Sequence, residues 1–225
     1  MDNRLAAAGR PGPALSVIAG GLGYSWRPCG TQARTPVARV ARKLSTWLVS
    51  RRTLRMRARP PPPAAYNVAM QLSGVLAPLP TPFDATGALD IGRLRAALPR
   101  WIASPLTGFV ILGTTGEAGL VTDAEADRVI GEARALVPRG RLLIAGTARE
   151  STAHAIDAAR RAAELGADAV LVRTPCFFKG LMTSAALERH YTAVADRSPI
   201  PVLLYNFTAA TGVTLQPETV GRLAV

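Results

Sequence analysis

Cysteine is almost absent from this 225-residue chain, with only Cys29 and Cys176 present. Two isolated thiols give neither a disulfide framework nor a zinc quartet, so a reducing compartment is the expected setting. Long apolar runs are also missing: none reaches the roughly 18–20 residues that span a bilayer. The stretch Ala14–Gly23 is short and glycine-rich, and it lacks a clear small-x-small cleavage site after it, so it is a poor signal segment. Aromatic residues are few, at 5%, and are not interleaved with the basic ones. Acidic residues are missing from one region only. Residues 1–65 hold twelve Lys/Arg and one acid (Asp2), whereas residues 66–225 hold fifteen Lys/Arg and fourteen acids. The formal charge of +12 therefore belongs to the leader, and the remainder is close to neutral. That split argues against nucleic acid as a partner, and nothing points to a membrane. No His/Asp/Glu cluster has metal-ligand spacing. No G-x-G-x-x-G follows the first strand-like run, which weakens a dinucleotide reading. We expect no metal and no cofactor.

Residues 1–69 form an Arg/Pro-rich leader, broken by Gly and Pro and ending near Arg59-Pro-Pro-Pro-Pro63. Such composition buries too little apolar surface to offset the entropy of ordering, so disorder is expected. The preferred reading is a mis-called start, with Met70 as the true first residue. A transit segment is the alternative. The expected location is cytoplasmic, or mitochondrial if the leader is a transit segment.

From residue 70 onward the pattern is regular. Gly74–Leu79 reads as a short strand, and Asp90 caps a helix with Leu94, Leu98, Trp101 and Ile102 on one face, interrupted by Pro99. Gly108–Gly113 is a continuous apolar run, as in a strand buried on both faces. Thr122-Asp-Ala-Glu125 is a capping box opening the next helix. Strands over 141–146, 167–172 and 200–205 alternate with helices opened by Ser151, Thr183 and Pro217. Five β-α alternations of about 30 residues each require a parallel sheet. The pattern alone leaves an open doubly wound sheet and an eight-fold barrel as alternatives.

In either case chemistry gathers at the carboxyl ends of the strands. Gly113-Thr-Thr-Gly-Glu117 follows the second strand and offers backbone N–H groups and two hydroxyls to a carboxylate or phosphate. It also suits a plain turn with a threonine cap. Tyr205 ends the fifth strand, either as a proton relay beside a hydroxyl or as a core phenol on a backbone carbonyl. Cys176 has no base near it in sequence and reads as an unreactive thiol. His154 and His190 lie on helices and read as packing or surface residues.

Residues 72–225 resemble the dihydrodipicolinate synthase / N-acetylneuraminate lyase family. The stretches that carry this are Gly74-Val-Leu-Ala-Pro-Leu-Pro-Thr-Pro-Phe83, Gly113-Thr-Thr-Gly-Glu117, Gly166-Ala-Asp-Ala169, Thr174-Pro175 and Tyr205-Asn206 with Thr211-Gly212. Thr174-Pro-Cys-Phe-Phe-Lys-Gly180 and the segment from Ser184 to Pro201 look most like 4-hydroxy-2-oxoglutarate aldolase. The resemblance implies a (β/α)8 barrel, here incomplete, with about five to six βα units in residues 70–225. It implies a homo-oligomer, usually a tetramer, and a small 2-oxo acid such as pyruvate, held as a Schiff base on a strand-six lysine. On this resemblance Tyr205 is the relay phenol and Thr114 its hydroxyl partner. Gly113 and Thr115 hold the substrate carboxylate, and Phe177, Phe178 and Ala210 line the substrate region.

Three departures accompany the resemblance. The Schiff-base lysine belongs roughly eight residues beyond Val225, and Lys179 is a poor replacement for it. Phe177 and Phe178 stand where the family offers a tyrosine across its dimer interface. Ala210 stands where the lysine-biosynthesis enzymes place an arginine, which favours a catabolic aldolase or dehydratase over the biosynthetic synthase. The expected function is a Schiff-base aldolase lyase, inactive as this fragment. The alternatives are 4-hydroxy-tetrahydrodipicolinate synthase or a non-catalytic remnant that binds a 2-oxo acid. An unclosed barrel is expected to expose the last strand's edge and to aggregate.

Overall fold

The computed structural model describes the backbone of residues 15–19 and residues 72–224. Six parallel strands form one sheet, in the order β1-β6-β5-β4-β3-β2. They are β1 (Leu15–Ala19), β2 (Leu76–Pro78), β3 (Gly108–Ile111), β4 (Leu142–Gly146), β5 (Ala169–Arg173) and β6 (Val202–Asn206). The helices are α1 (Ile91–Ile102), α2 (Asp123–Leu136), α3 (Thr152–Glu164), α4 (Ser184–Ala195), the single turn α5 (Thr208–Thr211) and α6 (Pro217–Leu223). From β2 to β6 each strand lies beside its predecessor. A doubly wound sheet reverses its order partway. This sheet does not, and its curled, helix-covered arrangement is that of an incomplete TIM barrel.

The helix starts follow their sequence signals. Asp90 Oδ1 accepts from the Arg93 N–H at 2.9 Å. Thr122 and Glu125 form the full reciprocal capping box. Ser151 and Thr183 cap α3 and α4 by accepting from the N–H groups of His154 and Ala186. Gly166, at φ +91°, takes the left-handed position after α3, and the Ala167 N–H reaches back to the Ala162 carbonyl at 2.9 Å. That pattern closes a helix and needs glycine.

Gly166-Ala-Asp-Ala169 owes its place to packing. The Asp168 carboxylate accepts from the Leu143 N–H at 2.8 Å and from Arg134 Nη1 at 3.0 Å. The buried Arg134 guanidinium also donates to the carbonyls of Val137 and Pro138. One ion pair thus ties the C-terminus of α2 to β4 and to the start of β5.

Alternation along the strands assigns their two faces. Val170, Val172, Val202, Leu204, Phe109 and Leu143 face the helices in the main core. Val110, Ile144, Ala169, Leu171 and Leu203 face the other way and make the smaller inner cluster.

Two expectations change at β1. Leu15–Ala19 falls inside the leader for which disorder is expected, yet it pairs with β6 from Leu15↔Val202 to Ala19↔Asn206. The free edge of β6 that the sequence predicts is therefore covered. An unpaired edge presents a row of backbone donors and acceptors, and an apolar run with two β-branched residues, Val17 and Ile18, suits it. The remainder of the leader lies outside the described residues.

Candidate active site

The carboxyl ends of β3, β4, β5 and β6 surround a cavity of about 340 Å3. Its lining includes Gly113, Thr114, Gly146, Arg173, Tyr205 and Ala210. Tyr205 occupies the inner row of β6, two residues beyond Leu203 and packed against the inner cluster. Thr114 arrives from the loop after β3. Its Oγ1 lies 3.3 Å from the Tyr205 hydroxyl, so residues 91 positions apart in sequence share a hydrogen bond at the mouth.

The β3 loop is tightly wound. Leu112 and Glu117 both hold φ near +53°, an uncommon conformation for residues with a Cβ. Such backbone costs about 1–3 kcal/mol per residue and persists only where its surroundings enforce it. Two neighbours do so here. The Thr81 hydroxyl donates to the Gly116 carbonyl at 2.7 Å, from the turn after β2. At Gly146 an added Cβ would lie 1.7 Å from the Leu112 carbonyl oxygen, so only glycine lets the β3 loop fold over the end of β4. The strained turn presents Gly113 and Thr114 to the cavity.

The loop after β6 is held differently. The Asn206 side-chain amide donates to the Leu215 carbonyl and accepts from the Leu215 N–H, both at 3.0 Å. Asn206 acts as a backbone mimic that closes the Phe207–Thr214 segment. α5 occupies that segment and brings Ala210 and Thr211 into the cavity wall. The Tyr205 ring stacks on Phe207 with centroids 5.6 Å apart.

Not every candidate meets at the cavity. Thr115 is exposed and is not part of the lining. Phe177 and Phe178 are 77% and 62% exposed and stack edge-on against each other outside it. Their backbone explains this. The Glu150 carboxylate accepts from the N–H groups of both Cys176 and Phe177 at 2.8 Å, which turns the chain outward at that point. Lys179 lies in a short 3-10 turn, and its amine sits against Gly212 rather than in the lining. His154 is exposed. His190 is buried between α3 and α4, with Nδ1 2.9 Å from the Thr152 hydroxyl. Burial lowers its pKa from 6.5 to about 4, against a weaker opposing pull from Glu150. Among the described residues no group of three or more His, Cys, Asp and Glu could hold a metal ion. None of the described helices is long and apolar enough to cross a membrane.

Residues 71–225 match the dihydrodipicolinate synthetase family. The chain belongs to that family. It is 44% identical over 152 residues to a 4-hydroxy-tetrahydrodipicolinate synthase of an Exiguobacterium species, covering 68% of this chain and 51% of that protein. A synthase of the same name from Stenotrophomonas maltophilia is 43% identical over 155 residues, covering 69% and 52%. Among solved structures, the chloride-inhibited dihydrodipicolinate synthase of Acinetobacter baumannii, complexed with pyruvate, superposes with a TM-score of 0.65. It is 35% identical and covers 68% of this chain and 52% of that one. The Aquifex aeolicus enzyme gives a TM-score of 0.64 at 31% identity, covering 68% and 51%. The chain spans about half the length of the curated relatives it matches.

Within this family member, sequence reasoning passed over Glu150 and Arg173. Arg173 ends the inner row Ala169, Leu171, Arg173 of β5 and stands in register beside Tyr205. Its Nη2 donates to Glu150 Oε1 at 2.9 Å, and its Nη1 donates to the Thr174 carbonyl at 2.9 Å and to Cys176 Sγ at 3.3 Å. Burial pushes the Glu150 carboxyl upward, but two backbone amides and the guanidinium outweigh it and hold the group below its ordinary value. The available signal was parity: a charge two residues beyond an inward leucine faces inward too.

Proposed function

We propose that the cavity binds a 2-oxo acid and supplies the carboxylate-binding and proton-relay part of a Schiff-base aldolase site, in a lyase of the 4-hydroxy-2-oxoglutarate aldolase type, without the electron-sink amine among the residues that line it. The observation that carries this is the 3.3 Å contact between the Thr114 and Tyr205 hydroxyls at the mouth of a pyruvate-family barrel. In this reading the backbone N–H groups around Gly113, together with the Thr114 hydroxyl, hold the substrate carboxylate. Tyr205 faces the reacting carbons, passing a proton through Thr114 as bonds to carbon form or break. The iminium that drains electrons from the substrate needs a lysine amine. Lys179 is the one lysine among the described residues, and its amine lies outside the cavity lining. Ala210 in the cavity wall favours the aldolase type, because an alanine cannot fork onto a carboxylate as an arginine does. The names of the relatives favour a second reading, 4-hydroxy-tetrahydrodipicolinate synthase.

Saturation-transfer NMR with pyruvate tests the site. Wild-type protein should show transfer to the pyruvate methyl, and Thr114→Val with Tyr205→Phe should weaken affinity about tenfold, the loss of one to two hydrogen bonds to a charged ligand. Absence of pyruvate binding at millimolar concentration overturns the reading. Borohydride reduction followed by peptide mass mapping addresses the amine: no adduct is expected at Lys179, and an adduct there would assign it the electron-sink role.

A further inference from the structure

Arg173 is the one cationic side chain in the cavity lining, where Glu117 is the other charged residue. Its position follows from strand parity. Ala169 and Leu171 belong to the inner cluster, so the next residue of that row emerges at the mouth, in register with Tyr205 on β6. Neighbouring strands lie about 4.8 Å apart. The guanidinium therefore shares a wall with the phenol that meets Thr114.

A guanidinium has five N–H donors in a planar fork. Among the described residues, three contacts use Nη1 and Nη2: the Thr174 carbonyl, Cys176 Sγ and Glu150 Oε1. None of these contacts uses Nε, and Nη2 makes one of them. The side chain is 28% exposed, and Arg173 lines the cavity. Glu150 does not satisfy the cation alone, because its carboxylate is shared with the N–H groups of Cys176 and Phe177. The Glu150 carboxylate also sets the position of the guanidinium through its ion pair with Nη2. A donor group fixed before binding loses little entropy when a carboxylate arrives. Ala210, also in the lining, has no polar side-chain atom to offer.

We propose that Arg173 anchors a second carboxylate, so that the site takes a dicarboxylic 2-oxo acid. This rests on the 2-oxo acid reading above. In it, one carboxylate sits on the Gly113–Thr114 turn with its ketone toward Tyr205, and the far carboxylate lies on the open edge of the Arg173 fork. Glu150 is the positioning residue for that fork. A monocarboxylic acid fills the first half of the cavity and leaves the guanidinium hydrated.

Wild-type discrimination gives the first test, because it needs no variant to fold. Affinities are compared for pyruvate, 2-oxoglutarate and 2-oxopentanoate, the last having a methyl group where 2-oxoglutarate has its far carboxylate. The expected result is 2-oxoglutarate binding about tenfold or more tightly than 2-oxopentanoate, the scale of one charge-assisted pair. In Arg173→Met that ratio should fall to about one, and Arg173→Lys should restore part of it, since lysine keeps the charge and loses the fork. Equal binding of 2-oxoglutarate and 2-oxopentanoate by wild type overturns the assignment, as does a ratio that survives in Arg173→Met. Pyruvate binding without such discrimination removes Arg173 from this role and leaves the 2-oxo acid reading standing. Failure of all three ligands to bind removes both.

Discussion

The outer face of the sheet meets its helices through a broad, continuous cluster, running from Leu79 and Leu98 through Phe109 and Leu143 to Tyr191 and Leu223. The inner face gathers five buried residues, Val110, Ile144, Ala169, Leu171 and Leu203, and then opens into a cavity walled by Thr114, Arg173 and Tyr205. The same strands supply both faces, one residue apart. Alternation lets each strand spend its outward side chains on burial and its last inward one on chemistry. Stability and function are thus separable by parity along β5 and β6, more cleanly than by position in the chain.

Truncation on each face should separate these roles most sharply. Leu98 of α1 and Leu203 of β6 are both fully buried. Leu98 sits within the large cluster, where dense neighbours on several elements resist collapse into a void. Leu203 belongs to the small cluster, which reaches the cavity lining at Leu171, and side chains there have more room to relax. Leu→Ala costs about 2–5 kcal/mol, depending on how far the site can close up. Leu98→Ala is expected near the top of that range and Leu203→Ala near the bottom, measured by urea denaturation. Equal costs would break the comparison.

A smaller effect comes from the outer layer through pH. The folded protein holds the His190 ring neutral down to about pH 4, whereas an unfolded chain takes up its proton near 6.5. Protonation therefore favours unfolding between those values. Stability should fall as pH drops through this window by about 1.4 kcal/mol per unit. The carboxylates of Asp123 and Glu150 are held low by their partners and contribute loss only nearer their ordinary range. The slope between about pH 6.5 and 5 consequently belongs to His190. Denaturant titrations across that range should show it, and His190→Gln should flatten it. An unchanged slope in the variant would place the effect elsewhere.

Much of the outer face was legible in sequence, because it follows local rules. Asp90, the Thr122–Glu125 box, Ser151, Thr183 and Gly166 each announce a helix end through their own chemistry, and all five occupy the expected places. Tyr205 and Thr114 were legible as strand-end residues, and they meet because the curled sheet brings the loop after β3 to the end of β6, with β4 and β5 between them in the sheet order. Other features depended on contacts that no local pattern carries. Glu150 reads as an ordinary surface acid until the fold lays the Cys176–Phe177 backbone against it, and that contact is what turns both phenylalanines outward. The strand Leu15–Ala19 is similarly a matter of partner rather than propensity: an isolated apolar run in a basic leader pairs because β6 offers an edge in register. Arg173 lay between these cases, since parity predicted its direction while composition hid it among the many arginines.

The finest contrast between the faces rests on two tyrosines. Tyr191 is fully buried on α4, and its hydroxyl donates to the Val172 carbonyl at 3.3 Å. Burial drives its phenol well above the ordinary range. Tyr205 lines the cavity, and among the described residues its hydroxyl meets another hydroxyl, that of Thr114, at the same distance. Removing the first hydroxyl loses a hydrogen bond in the buried core, whereas removing the second leaves Thr114 free to bond solvent. Tyr191→Phe should therefore cost about 1 kcal/mol in urea denaturation. Tyr205→Phe should fall within about 0.5 kcal/mol of wild type, as a surface change does. The ligand readout should reverse that order, with pyruvate affinity weakened by Tyr205→Phe and only Tyr191→Phe shifting the unfolding midpoint. A Tyr205→Phe variant that loses stability and keeps its affinity would make this phenol a core residue after all, and would return the mouth of the barrel to the packing that governs its outer face.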